Sequence, residues 1–307
     1  MEISNTKAYL ALTFICLVWG TTYLALRIGV EAFPPFLFSG IRQTTGGGLL
    51  LLFLLFFRRS FAWSWKTVGQ QIVPGILMIG LGNGLVGWAE MYIPSGLAAL
   101  LCSMMPLFVV LINLFSEGFS RLNWKIITGL ITGLMGMVAI FQENLHDLMN
   151  RQYLLGIIFC SIAAFSWAFG SIINKRRSAG ADPFYNASLQ MIAGGIFLLL
   201  TGLVFDDLSR ASAMTQESFF ALLYLIIFGS IGAFIAYLYA LTKLPVGLVS
   251  VYAYINPLVA VLLGYFILNE RLNEYTIIAF LLIVLGVYLV NSGYKSQSLE
   301  KKKLGLS

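Results

Sequence analysis

The feature that most constrains this chain is a series of ten apolar runs, each close to the length that crosses a lipid bilayer. A spanning helix needs about 20 mostly apolar residues. Only 10% of the 307 residues are charged, whereas soluble proteins carry about 25%. The sequence therefore predicts an all-α integral membrane protein with ten transmembrane helices. The predicted spans are residues 8–27, 35–57, 71–92, 95–116, 124–142, 153–174, 184–205, 218–240, 246–268 and 274–292.

The basic residues predict how these helices cross the membrane. Fourteen of the 19 Lys and Arg residues fall in the termini and loops of one side, and four fall on the other. Cytoplasmic loops carry the excess of Lys and Arg. Both termini are therefore expected to be cytoplasmic, in a multi-pass protein of the cytoplasmic (inner) membrane. Residues 293–307, which include Lys301, Lys302 and Lys303, are expected to form a basic cytoplasmic tail.

The two halves of the chain match each other. The first half, residues 8–142, has five spans, and the second half, 153–292, has five more. Because five is odd, the second copy must enter the membrane inverted, and in secondary transporters such repeats place the substrate site near the midplane between the halves. The loop charges agree, since Arg58-Arg59 corresponds to Asp206-Asp207. The matched pairs are Trp19 with Trp167, Pro35 with Pro183, and Gly46 with Gly194 at an offset of 148 residues, and Pro106 with Pro257 at 151.

Several short motifs resemble a known family. They are Val18-Trp19-Gly20-Thr21, Pro34-Pro35, Ile41-Arg42 followed by Gly46-Gly47, Asn269-Glu270-Arg271-Leu272 and Leu285-Gly286-Val287-Tyr288. Their order and spacing resemble the drug/metabolite transporter superfamily of the EamA type. The resemblance implies two five-helix repeats, a polar central cavity, alternating access and, in many members, export of small metabolites. It assigns the fifth helix of each repeat to packing or dimerisation. The first repeat departs from the pattern near Glu117-Gly118.

Arg42 is the most informative single residue. It lies about seven residues into the second span, roughly 10 Å below the membrane end at 1.5 Å per residue. A charge at such depth costs about 2.5–3.5 kcal/mol on insertion scales and indicates function. Arg42 is predicted to bind a carboxylate or phosphate, or else to be a structural residue paired with Glu90 or backbone carbonyls. Its counterpart Gln190 is predicted to face it across the cavity. A single fixed cation favours a zwitterion or monoanion.

Other polar and aromatic residues in the spans complete the predicted site. Trp19 and Trp167 are expected either to form its walls or to be lipid-facing or core-packing residues. In each pair Tyr237/Tyr239 and Tyr252/Tyr254 only one ring can line a cavity, because residues two apart lie on different helix faces. The predicted substrate-binding set is Arg42, Gln190, Trp19, Trp167, Asn83, Tyr237, Tyr252 and Asn256, with Gln43 as a further polar candidate.

Three residues bear on how a transporter would change conformation and how it would couple to a proton. Pro106 and Pro257 lie within spans, where each removes a backbone hydrogen bond. Their matched positions predict a gating or shaping role, with a static bend as the alternative. Glu90 lies near a membrane end beside the predicted cavity. It is a candidate to carry a coupling proton, or alternatively an interfacial carboxylate.

The predicted function is secondary active transport, with export of a small amino-acid-like or carboxylate metabolite. Obligate exchange of phosphorylated or nucleotide-linked solutes, and a non-transporting scaffold or channel, remain alternatives. No enzyme is expected, because HExxH, GxSxG and GxxxxGK[ST] are absent from the sequence. No cofactor, metal site, nucleic acid or disulfide framework is expected. The cysteines Cys16, Cys102 and Cys160 lie in separate runs. Expected partners are a small-molecule substrate and the lipid bilayer, with a second copy of the chain as a further candidate partner.

Overall fold

The computed structural model describes residues 2–57, 63–117, 123–143, 150–177, 182–244, 249, 252–270 and 274–303. Within these ranges the backbone forms helices and turns and contains no strand. The membrane helices are α1 (Glu2–Ala32), α2 (Pro35–Phe57), α3 (Trp65–Ala89), α4 (Ser95–Cys102 and Met105–Glu117), α5 (Trp124–Glu143), α6 (Arg151–Arg177), α7 (Pro183–Phe205), α8 (Gln216–Tyr224, Leu225–Gly232 and Ala233–Lys243), α9 (Tyr252–Leu268) and α10 (Glu274–Lys303).

Each predicted span corresponds to one of these helices. Seven are long and apolar enough to cross a membrane, and α5, α9 and α10 contain the shorter apolar stretches Trp124–Gly136, Ile255–Leu268 and Ile277–Val290. In lipid a helix is favoured because it satisfies its backbone groups internally. The outward-facing side chains suit lipid, since large apolar residues are strongly exposed on several helices. The predicted all-helical, ten-helix membrane architecture is confirmed.

Several predicted boundaries differ from the observed ones, and α1, for example, covers Glu2–Ala32 rather than 8–27. Helix α3 begins at Trp65 rather than at residue 71. Helix α10 continues to Lys303 rather than ending at residue 292, so the predicted tail starts as an extension of that helix. The predicted loop cations Arg58, Arg59, Arg121 and Arg271 lie outside the described residues.

Several helices begin at an N-cap residue whose side chain bonds to the first turn. Ser64, Asp182 and Thr215 each accept a hydrogen bond from a backbone N–H in the first turn of α3, α7 and α8. Such a bond satisfies a donor that has no partner within the helix. Pro183 follows Asp182 as the first residue of α7, a position where its missing N–H has no cost.

Two helices of the first repeat are capped by carboxylates of the second. Asp206 accepts from the N–H of Leu37 at 2.8 Å, at the start of α2. Burial raises the pKa of the Asp206 carboxyl above its ordinary value, and the bond from Leu37 opposes that shift. Glu270 accepts from both the N–H and the hydroxyl of Ser95 at 2.9 Å, at the start of α4. A negative charge is favourable at a helix N-terminus. These contacts tie the repeats together at one end of the bundle.

Helices α2 and α7, which are equivalent in the two repeats, pack against each other in opposite directions. Their contacts pair Leu37 with Gly202, Gly40 with Leu199, Thr44 with Gly195, and Gly47 with Ile192. Numbers that rise along α2 therefore fall along α7. The crossing is centred near Gly46-Gly47 and Gly194-Gly195, the motif that the two repeats share. This antiparallel pairing of equivalent helices is the arrangement that the predicted inverted repeat requires.

The fifth helices of the repeats form a second antiparallel pair. Gly129 and Gly133 of α5 approach Gly286 of α10, and Gly136 approaches Ile283. The small residues let the two backbones come close, as is common between membrane helices. The glycines of α5 therefore pack within the chain. Of the two roles that the resemblance gives the fifth helices, packing and dimerisation, this contact is the first.

The third helices pack onto the opposite repeat and share an unusual backbone. Helix α3 packs on α6 and α7, and its counterpart α8 packs on α1 and α2. Each contains a π-helical segment at the equivalent place, Gly75–Asn83 in α3 and Leu225–Gly232 in α8. Such segments are rare and are often found at functional sites.

The two predicted proline sites differ in form. Helix α4 is broken at Ser103-Met104, and its second segment begins at Met105, directly before Pro106. Pro257 lies inside the continuous helix α9. The break in α4 agrees with a proline that shapes the helix. A gating role for either residue stays a prediction.

The α2–α7 crossing gives a matched test of close packing. A Cβ at Gly47 would lie 2.9 Å from the backbone nitrogen of Ile192, whereas a Cβ at Gly48 would meet nothing within 4 Å. We expect Gly47→Ala to lower stability by about 1–3 kcal/mol, because the helices must separate. Gly48→Ala is expected to leave it unchanged or raise it by up to about 1 kcal/mol. Thermal unfolding in detergent measures both, and equal effects would contradict this packing.

Candidate functional site

A cavity lies between the repeats, bounded by α1, α2, α3, α4, α6, α8 and α9. Its volume open to the centres of water molecules is about 110 Å³. That volume is several times the roughly 10–15 Å³ that a cavity needs to hold one water. The two π-helical segments supply part of its wall, with Ile79, Gly82 and Asn83 from α3 and Gly229 and Ser230 from α8.

Arg42 lines this cavity and is 4% exposed. Its Nε donates to the hydroxyl of Ser230 on α8 at 2.8 Å. That is its one side-chain hydrogen bond within the described part of the chain. The bond leaves the other guanidinium N–H groups directed at the cavity or its wall. Since a guanidinium presents five donors in a fixed fork, Arg42 is equipped to bind a carboxylate or phosphate.

Three amide side chains stand in the same wall. Gln43, next to Arg42, is 2% exposed, and its Oε1 accepts no hydrogen bond from any described residue. Asn83 lines the cavity from the end of the π segment of α3. Asn256 of α9 is held by its own surroundings, because its amide nitrogen is placed to donate to the carbonyls of Tyr252 and Cys16 at 3.1 and 3.0 Å. The wall therefore offers a cation and a nearby unpaired acceptor.

Aromatic rings close one end of the cavity. Trp19 and Trp167 meet edge to face with ring centroids 6.0 Å apart, and Tyr252 lies 5.1 Å from Trp19. The Trp19 Nε1 donates to the carbonyl of Gly229 at 3.1 Å, which fixes the ring. Behind the rings is a packed apolar core that includes Ile15 and Met191. We call Trp19, Trp167, Tyr252 and Phe234 the aromatic floor.

Gln190 does not line the cavity, so the predicted pairing across it with Arg42 is wrong. Gln190 is fully buried, and its Nε2 donates to Oε1 of Gln71 at 2.5 Å and to Oδ1 of Asn174 at 2.9 Å. The reason is the antiparallel crossing. Arg42 and Gln190 each lie about one turn before the crossing on their own helix, so they lie on opposite sides of it, about 10 Å apart along the helices.

Tyr237 is likewise displaced from its predicted place at the cavity surface. It is 4% exposed and lies behind the aromatic floor, with its ring centroid 5.1 Å from Trp19 and 5.7 Å from Tyr252. Of the two tyrosine pairs, Tyr252 is the ring that reaches the cavity. The side chain of Tyr254 lies outside the described set. Tyr237 supports the floor rather than contacting a ligand.

Glu90 lies one turn beyond Val86, a cavity-lining residue of α3. It is fully buried, and neither carboxylate oxygen has a hydrogen-bond partner among the residues that the structure describes. It is therefore not hydrogen-bonded to Arg42. Pairing with Glu90 is one of the two structural alternatives for that arginine, and pairing with backbone carbonyls is the other. The groups close enough to act on its charge are Tyr23, Arg27, Arg42, Cys102 and Glu270.

Sequence patterns missed several residues of the wall. Ser230, the hydroxyl that orients Arg42, and Thr22, Tyr23 and Cys102 line the cavity without having been predicted. A signal existed for the first of these: Gly229-Ser230-Ile231-Gly232 sits in the second repeat where Gly80-x-Gly82-x-Gly84 sits in the first. Apart from Gly84, which directly follows Asn83, both glycine runs fall in the π-helical segments, which no hydrophobic periodicity predicts.

Comparison with known proteins gives consistent similarities. The model of the EamA-like transporter family matches residues 6–142 and 154–292. The Escherichia coli (strain K12) protein described as "Uncharacterized inner membrane transporter YedA" is 34% identical over 286 residues, 92% of this chain and 90% of that protein. A "Probable amino-acid metabolite efflux pump" of Escherichia coli (strain K12) is 24% identical over 94% of this chain and 95% of that protein. A solved crystal structure has a TM-score of 0.67 at 23% identity and covers 93% of this chain and 97% of its own.

Cysteine labelling tests which residues face the cavity. In a background with Cys16, Cys102 and Cys160 replaced by alanine, we expect Asn83→Cys to react with a neutral methanethiosulfonate about tenfold faster than Gln190→Cys. The reason is that a thiol reacts only where water and reagent reach it. The rates are read by mass spectrometry of the folded protein in detergent. Equal labelling rates would show that position 190 is as accessible as position 83 and would contradict the buried placement of Gln190.

Proposed function

The chain belongs to the EamA-like transporter family, and from this we propose that it is a secondary active transporter that exports a small amino-acid-like or carboxylate metabolite. The proposed mechanism is alternating access across the cytoplasmic membrane. Membrane transport is the family's function; the substrate, the direction and the mechanism are our proposal. The observation that carries it is the buried guanidinium of Arg42, held by Ser230 in the wall of a cavity between inverted repeats.

The proposed substrate class follows from the charges in the wall. Arg42 is the one basic residue among the described residues that line the cavity. One guanidinium matches one carboxylate, with two parallel hydrogen bonds. The unpaired Oε1 of Gln43 is an acceptor for an ammonium or hydroxyl group on the same ligand. A doubly charged phosphate ester would leave one negative charge unmatched in a buried site, which is costly.

The size and floor of the cavity support a small ligand with an apolar part. A space of about 110 Å³ for water centres suits a metabolite of amino-acid size. It is too small for a nucleotide-linked solute in this conformation. The aromatic floor gives the cavity that Arg42 lines an apolar surface as well. One relative's printed name, an amino-acid metabolite efflux pump, agrees with this class.

The proposed orientation places this cavity in the outer half of the membrane. It rests on the excess of Lys and Arg on the side of both termini. In that orientation the Gln71–Asn174–Gln190 amide cluster lies in the cytoplasmic half, where tight packing closes the path. Alternating access would open the two halves in turn. The break in α4 before Pro106 and the position of Pro257 within α9 are the proposed hinges.

We propose that Glu90 carries the coupling proton. A buried carboxylate without a hydrogen bond is much more favourable when neutral than when ionised. Glu90 meets that description in this closed arrangement. When the cavity opens, water reaches the carboxyl and allows it to ionise, so proton exchange and opening are linked. Arg42 and Arg27 favour the ionised form, whereas Glu270 opposes it.

Ligand binding to wild type and Arg42 variants tests the substrate proposal. We expect an amino acid or organic acid to raise the Tm of the wild type, because a ligand that binds the native state stabilises it by about 2.7 kcal/mol at 100 Kd. Arg42→Ala should weaken binding about ten- to hundredfold, since a hydrogen bond to a charged group is worth about 1.5–3 kcal/mol. A thermal-shift screen that includes sugar phosphates measures this.

The control is Arg151→Ala, which removes an exposed arginine outside the cavity. It should respond to the ligand as the wild type does. If Arg42→Ala also responds as the wild type does, Arg42 does not bind the ligand. If only sugar phosphates stabilise the wild type, the carboxylate class is wrong.

Transport in proteoliposomes tests the role of Glu90. We expect a pH gradient to drive accumulation by the wild type. Glu90→Gln, which mimics the protonated side chain, should retain counterflow at equal pH but lose the gradient-driven accumulation. Glu31→Gln, at an exposed carboxylate, is the matched control and should behave as the wild type. Gradient-driven accumulation by Glu90→Gln would exclude Glu90 as the proton carrier.

A further inference from the structure

Two cysteines that are far apart in sequence meet beside the cavity. The Sγ atoms of Cys102 on α4 and Cys160 on α6 are 3.6 Å apart. Both thiols are free, and Cys160 also contacts the carbonyl of Ala98 at 3.4 Å. The pair joins the first repeat to the second. Neither thiol is used in the transport mechanism proposed above.

The two thiols differ in how they are reached. Cys102 lines the cavity and is partly exposed there, whereas Cys160 is fully buried behind it. A small reagent that enters the cavity therefore meets Cys102 first. The third cysteine, Cys16, lies apart from them in α1, within the packed core behind the aromatic floor.

We propose that Cys102 and Cys160 form a thiol modification site, at which a small disulfide that enters the cavity converts the pair to a reversible cross-link between the repeats. The sulfur atoms must move from contact to a bond of about 2.05 Å. The backbone next to Cys102 allows that movement, because Cys102 is the last residue before the break in α4 at Ser103-Met104.

The reaction is an ordinary thiol–disulfide exchange. The Cys102 thiolate attacks one sulfur of the small disulfide and releases one small thiolate. The Cys160 thiolate then attacks Cys102 in the mixed disulfide and releases the second. Each departing thiolate takes up one of the two protons that the cysteines lose. Two protein thiols are oxidised, and one external disulfide is reduced to two thiols.

The cross-link has a consequence that rests on the proposed function. Alternating access requires the two repeats to move relative to each other. A covalent bond between α4 and α6 at the cavity wall holds them in the arrangement seen here. Oxidation therefore arrests transport, and a dithiol reductant restores it.

The test uses the purified full chain in detergent, treated with hydroxyethyl disulfide. In Cys16→Ser, which keeps only the proposed pair, we expect the intact mass to fall by two hydrogen atoms and peptide mapping to link Cys102 to Cys160. In Cys160→Ser we expect a stable mixed disulfide on Cys102 instead. In Cys102→Ser the remaining Cys160 should react about tenfold more slowly, because it is buried.

The overturning result is a folded Cys16→Ser protein that forms no internal cross-link under conditions where the unfolded protein is fully oxidised. Counterflow in proteoliposomes tests the consequence separately. Oxidised Cys16→Ser should lose at least about nine-tenths of the counterflow that the same protein shows when reduced, and regain it with reductant. Undiminished counterflow by the cross-linked protein would overturn the arrest. Absence of counterflow in the reduced wild type would contradict the proposed function and not the thiol site.

Discussion

The antiparallel contact between α2 and α7 is the interaction on which the rest of this structure depends. Glycines at the crossing let two equivalent helices approach until the backbone of one meets the other, as Gly47 meets Ile192. In lipid, close packing of this kind supplies the association that burial from water supplies in soluble proteins. With α2 and α7 fixed, α3 and α8 each pack onto the opposite repeat, and the space left between the halves is the cavity.

The symmetric scaffold carries asymmetric chemistry. One side of the crossing has Arg42, an unpaired acceptor on Gln43 and the buried Glu90. The other side has, in place of that cation, an amide cluster around Gln190, whose Nε2 donates to two neighbouring amides and whose Oε1, like that of Gln43, accepts no hydrogen bond from a described residue. The helix packing alone is compatible with either set of side chains on each side of the crossing. Of the two equivalent positions, one carries the cation Arg42 and the other the amide Gln190, so the described wall of the cavity carries a single positive charge. Our proposal of a singly charged substrate follows from this difference.

The sequence predicted the architecture well because the bilayer imposes simple rules. Length and apolarity fixed the ten helices, and the shared motifs located the repeats. Trp19 and Trp167, which the sequence left as either wall or packing residues, meet edge to face in the structure, because they are equivalent residues that lie near the symmetry axis. The prediction failed for Gln190, because equivalent residues away from the axis lie on opposite sides of it. The π-helical segments and the contact between Cys102 and Cys160 depend on tertiary packing, which leaves no periodic trace in the sequence.

The central claim is that the Arg42 guanidinium holds the anionic group of the transported molecule. An experimental structure with a stabilising carboxylate bound would test it most directly. Our account predicts two N–H···O bonds of about 2.7–2.9 Å between Arg42 and the ligand carboxylate, with the rest of the ligand against the aromatic floor. A ligand bound elsewhere, with Arg42 hydrogen-bonded to Glu90, would contradict it.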